Sequence, residues 1–118
     1  MKYELLMKRL MVESEIYGIA AKNGWRVSVS VENGVHCYDF QRRTLSGVAF
    51  SFTAEVKDDE VSSLESEIVS FVDAINPVTC AWEWMIKSGA MDSSRYLQAV
   101  ADMEDIRSKA WLLACDLS

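Results

Sequence analysis

The chain has 118 residues, half of them apolar, a quarter charged and one of them proline, with eighteen acids against twelve bases for a net charge of −6. That size suits one domain, residues 1–118, with a real core, and the composition is not that of a disordered chain. No stretch approaches the ~20 apolar residues of a membrane span, and Glu4, Lys8 and Arg9 break up any signal-peptide core at the start.

Residues 2–22 read as a helix: Leu6, Leu10, Ile16, Tyr17 and Ala20 take apolar positions, and Asn23-Gly24 supplies the stop. The period then switches from 3.6 to 2. Trp25, Val27, Val29 and Val31 alternate with Arg26, Ser28, Ser30 and Glu32, as in a half-buried strand. Asn33-Gly34 follows, and a type I′ hairpin turn needs positive φ at both central residues. A two-residue turn sets the register, so Val31 is expected to face His36, Val29 to face Tyr38 and Val27 to face Phe40. A third alternating run places Val48, Phe50, Phe52, Ala54 and Val56 on one side. The short connection 43–47 makes the three runs an antiparallel meander.

After residue 57 the helical period returns. Val61, Leu64, Ile68, Phe71, Val72 and Ile75 form one stripe over residues 60–75. Asn76-Pro77 reads as an N-cap and first helical position, and Gly89 as the C-cap of that third helix. Asp92 or Ser93 caps a last helix running to about Leu117, with Tyr96, Val100, Met103, Ile106, Ala110 and Leu113 inward and Trp111 at the edge. The expected architecture is α+β, order α-β-β-β-α-α-α, with helices packed mainly on one face of the meander.

All of the net charge lies in residues 55–73, where seven acids (Glu55, Asp58, Asp59, Glu60, Glu65, Glu67 and Asp73) face a single Lys57; elsewhere eleven acids and eleven bases cancel. Part of this has a structural cause. Acids are welcome at a helix N-terminus, and Ser62 with Glu65 has capping-box spacing. The functional alternative is a negative surface formed by Asp58, Asp59, Glu60, Glu65 and Glu67, which repels nucleic acid and docks on a basic protein.

The third helix offers a second candidate. Val78, Ala81, Trp82, Met85 and Ile86 share a stripe, and Trp84 sits about 200° from Trp82. Trp82 is expected to face the core, leaving Trp84 either covered by the last helix or exposed as an anchor for a partner.

Little points to chemistry. His36 is the only histidine, and in a strand it and Cys37 point to opposite faces, so they do not share a metal. Asp102, Glu104 and Asp105 read as a solvated helix face, Asp105 pairing with Lys109. No nucleophile elbow, phosphate loop or Cys–His pair is present, so neither enzyme activity nor a cofactor or metal is expected. Cys37, Cys80 and Cys115 are odd in number and widely spaced, as reduced thiols of a cytoplasmic protein would be.

Residues 2–75 resemble the α-β-β-β-α layout of a double-stranded-RNA-binding domain. That family's phosphate-binding lysines are replaced here by Asp58-Asp59-Glu60-Val61-Ser62, which removes RNA as a partner through that surface. In size, acidity and element order the chain is also similar to small phage-encoded inhibitors of the anti-CRISPR type, some of which place carboxylates in a DNA-binding groove of their target. The resemblance implies a non-catalytic protein-binding module, an inhibitor of a nucleic-acid-handling host complex that mimics phosphates. The alternatives are a homodimer through the C-terminal helices, and a small enzyme with a pocket around His36, Tyr38 or Arg42.

Overall fold

The computed structural model describes residues 2–57, 60–89 and 92–118. The elements follow the expected order: α1 (Lys2–Lys22), β1 (Arg26–Glu32), β2 (Val35–Arg43), β3 (Ala49–Val56), α2 (Ser63–Ala74), α3 (Pro77–Ser88) and α4 (Ser93–Leu117). The strands form one antiparallel sheet, β1-β2-β3. Asn33 and Gly34 take φ of 53° and 79°, and β1 and β2 pair as the two-residue turn dictates, Val31 with His36, Val29 with Tyr38 and Val27 with Phe40. The second turn closes through Thr44, whose Oγ1 accepts from the Val48 N–H at 3.1 Å, while Gly47 takes the left-handed conformation.

The alternation puts Tyr38, Phe40, Phe52, Ala54 and Val56 on one buried face. Helices α2 and α4, with the second half of α1, cover it through Leu64, Ile68, Ile106, Ala110, Leu113 and Ile16. Phe52 is the hub of an aromatic cluster: it stacks on Phe40 at 5.3 Å and on Phe71 at 4.5 Å, and meets Trp25 edge-on at 5.3 Å. The opposite sheet face carries Ser28, Ser30, Asp39, Gln41, Ser51 and Thr53, and among the described residues no helix covers it.

Three caps fall where the sequence places them. The Asn76 side chain accepts from the Thr79 N–H at 3.1 Å, Gly89 ends α3 in the left-handed conformation, and Asp92 caps α4 through the Ser94 N–H at 2.8 Å. The cap of α2 differs. Ser62 is already helical and makes no side-chain cap bond; the neighbouring Ser63 hydroxyl instead ties the start of the helix back to the preceding segment, donating to the Glu60 carbonyl and accepting from the Lys57 N–H. The helix starts at Ser63 rather than residue 60, because Glu60 is engaged in a backbone bridge with Lys57 and residues 61 and 62 form a turn.

The chain is elongated. Its radius of gyration is 16.3 Å over extents of 59 × 27 × 22 Å, against about 13–14 Å for a compact domain of this length. One reason is α1, whose described side chains before Met11 are all exposed. Among the described residues no helix is long and apolar enough to cross a membrane.

Candidate functional surfaces

Successive helical residues step by 100°, so α1 presents two different apolar faces. Val12, Ile16, Ile19 and Ala20 form the face that joins the core. Tyr3, Leu6, Leu10 and Tyr17 lie roughly 120° away from it, with Met7 and Met11 alongside. Tyr3, Leu6, Met7, Leu10 and Met11 are between 42% and 73% exposed. Leu6, Leu10 and Tyr17, which take apolar positions in the helical pattern, are therefore surface residues. Among the described residues nothing covers the side chains of the first half of α1.

The acidic segment splits by location. Asp58 and Asp59 lie outside the described residues. Glu60 is exposed in the turn before α2 and Glu65 is half-buried in its first turn. Glu67 has a structural partner: its carboxylate accepts the Glu55 N–H of β3, which satisfies a donor on the free edge of the sheet. Glu55, Glu32 and Glu67 also gather near Cys37 on the outer sheet face. Partial burial, followed by these three carboxylates, pushes the Cys37 thiol above its ordinary pKa, so it stays protonated at neutral pH. Glu32 lies outside the acidic run in sequence and joins this patch only through the hairpin.

Trp82 and Trp84 need a correction. The seam of α3 is Ala81 and Met85, which pack against α4, and it bisects the shorter arc between the two tryptophans. Each ring therefore sits on a flank, Trp82 50% and Trp84 46% exposed. Neither is a core residue. Trp82 meets Tyr96 edge-on at 6.4 Å, and Trp84 borders a cavity. Val78 and Ile86, assigned to the same stripe as Ala81, continue the exposed flank with Trp82.

That cavity has a volume of about 480 Å³ and lies between the β2–β3 turn, the start of β3, α3 and α4. Val48, Phe50, Ala81, Trp84, Ala99 and Met103 give it apolar walls. Its polar centre is Asp102, 7% exposed. The carboxylate accepts from the Ser46 N–H at 3.1 Å, from the Ser46 hydroxyl, and from the Gln98 amide at 3.1 Å. Burial acts to raise its pKa, but the bonds from Ser46, Gln98 and Thr44 outweigh it and hold the carboxyl below the ordinary value. Asp102 was expected on a solvated face with Glu104 and Asp105. Glu104 is exposed and Asp105 pairs as expected, its carboxylate 4.0 Å from the Lys109 amine; Asp102 departs from both by turning inward. The signal for Asp102 was its spacing, since it falls three residues after Ala99 and four before Ile106, inside the apolar stripe of α4.

The residues singled out for chemistry lie elsewhere. His36 is half-buried on the inner face of β2, between Val31 and Val56. Tyr38 is buried in the core. Arg42 lies over the Trp25 ring at 5.0 Å and donates to the Asn23 carbonyl at 3.4 Å. None of the three lines the cavity. Among the described residues no group of His, Cys, Asp and Glu is placed to hold a metal ion.

Comparison of the chain with models of protein families, with curated proteins and with solved structures finds no match.

Proposed function

We propose that the chain is a non-catalytic protein-binding module. The observation that carries this is the outer face of α1, where Tyr3, Leu6, Met7, Leu10 and Met11 make an apolar stripe over about two and a half turns that the described residues leave exposed. Soluble monomers rarely leave contiguous apolar surface of this kind unless something binds there, and a helix end without packing is marginal in water. The acidic segment sets the polarity of the partner, a protein with a basic surface. In its sharpest form the module inhibits a host complex that handles nucleic acid, with Asp58, Asp59, Glu60 and Glu65 standing in for phosphates and Glu67 divided between that surface and the edge of β3.

Two variants test this by affinity capture from the native host's lysate. Leu6→Glu with Leu10→Glu removes the stripe without touching the core, and Glu60→Lys with Glu65→Lys reverses the exposed charge. A protein held by the wild type is expected to be lost with the first pair. With the second it should be retained more weakly and with less dependence on salt. Equal retention by all three chains sinks the proposal.

Self-association is the second interpretation, and one observation favours it. Helix α1 carries four bases and three acids, so two copies of a strongly acidic chain meet there without net repulsion. This moves the dimer contact from the C-terminal helices to α1. Sedimentation at micromolar concentration is then expected to show a dimer that Leu6→Glu with Leu10→Glu converts to monomer, while Trp84→Ala leaves it intact. A monomeric wild type removes this interpretation.

A further inference from the structure

We propose that the cavity between β3, α3 and α4 binds a small organic monocarboxylate with an apolar body, a chain of about ten carbons or a fused aromatic ring. Its volume of about 480 Å³ falls in the range of small-molecule sites, roughly 300–1,000 Å³, which are mostly apolar with a few placed polar groups. The walls fit that pattern, with Trp84 and Phe50 as flat surfaces and Met103 as an adaptable one.

Charge selects the headgroup. Arg95 is the one cation on the lining. It is exposed, and among the described residues it has no hydrogen bond or ion pair. Its guanidinium presents a planar fork that matches a carboxylate. Asp102 does not compete for it, because its oxygens already accept from Ser46 and Gln98. Arg95 precedes Asp102 by seven residues on α4, about 10.5 Å along the helix axis. That separation exceeds the screening length of about 8 Å at physiological salt, which weakens the repulsion between Asp102 and an anion at the exposed Arg95. The headgroup therefore sits at the Arg95 end and the apolar body lies along Ala99 and Met103 against Trp84.

The test is calorimetric titration of the full chain with decanoate, 2-naphthoate and decan-1-ol. At least one carboxylate is expected to bind at a single site, at least tenfold more tightly than the alcohol, and which of the two wins separates chain from ring. Arg95→Gln should weaken the carboxylate about tenfold and leave the alcohol unchanged, while Ala99→Trp, which fills the cavity, should abolish binding of both. Cys80 lines the same cavity and Cys115 is exposed near the end of α4. The carboxylate should therefore slow alkylation of Cys80 and leave Cys115 unaffected, a readout that needs no variant to fold. Absence of carboxylate binding at millimolar concentration, binding indifferent to Arg95→Gln, or equal alkylation of Cys80 with and without ligand would each overturn the proposal.

Discussion

Phe52→Ala is expected to destabilise the fold by about 3–5 kcal/mol, the cost of emptying a large buried aromatic site. The ring is packed on three sides, stacked against Phe40 at 5.3 Å and Phe71 at 4.5 Å, with Trp25 edge-on at 5.3 Å. These neighbours come from β2, α2 and the residue just before β1, so the hole cannot close by a shift of one element. For a domain of this length each kcal/mol lowers Tm by about 4 °C, and thermal melting followed by circular dichroism should show a drop of roughly 12–20 °C. Phe52→Leu, which keeps most of the volume, should cost well under half as much. Equal losses for the two variants would show that the packing around the ring is not what holds the three elements together.

Asp102→Ala comes next, at about 2–3 kcal/mol in urea unfolding at pH 7, because it leaves the Ser46 and Gln98 donors without their charged acceptor. The contribution depends on pH in a definite direction. The folded carboxyl titrates below its ordinary value, so in acid the unfolded chain takes up the proton first. The stabilisation is therefore complete above the unfolded pKa of about 3.9 and is lost as pH falls through the lower folded value. The gap between wild type and Asp102→Asn should accordingly be widest at neutral pH and narrow below about pH 4. A gap that stays constant down to pH 3 would mean that the carboxylate is not held in its charged form by these bonds. Because Ser46 belongs to the β2–β3 turn, the same substitution should speed amide exchange at Ser46 and Gly47.

Both effects bear on how far residues alone reveal this protein. The hairpin was legible because its determinants are local: Asn33-Gly34 accepts positive φ, and a period of two then assigns every side chain of β1 and β2 to a face. Asn76, Gly89 and Asp92 were legible for the same reason, since a cap depends on backbone groups within three or four residues. Ser62 shows the limit of that approach. Its spacing to Glu65 meets the capping-box rule, yet Ser62 is itself helical and makes no side-chain cap bond, while the Ser63 hydroxyl is taken up by Lys57 and Glu60.

The candidate surfaces were less legible, because exposure depends on which element covers which. The helical period sets Trp84 opposite Trp82 without deciding whether it is covered, and it assigns Trp82 to the core when the seam through Ala81 and Met85 passes between them. Of the acidic residues, the sequence could not show that Glu67 binds the edge of β3, nor that Glu32 would join it beside Cys37. The cavity draws its walls from β3, α3 and α4, separated by up to half the chain, and no motif marks it.

What the sequence determined by itself is the fold class, the order of the seven elements, the strand register and most of the caps, since these follow from alternation, helical period and turn chemistry between near neighbours. What only the tertiary structure decided is which apolar faces are buried. Helix α1 carries two such faces about 120° apart, and the sheet and α4 cover the one with Ile16 and Ala20 while the one with Leu6, Leu10 and Tyr17 points away from them. Asp102 is the counterpart, an acid drawn into the interior because Ser46 and Gln98 converge on it from the turn and from its own helix. A helical period states that a face is apolar; burial is settled by the length and position of its neighbours.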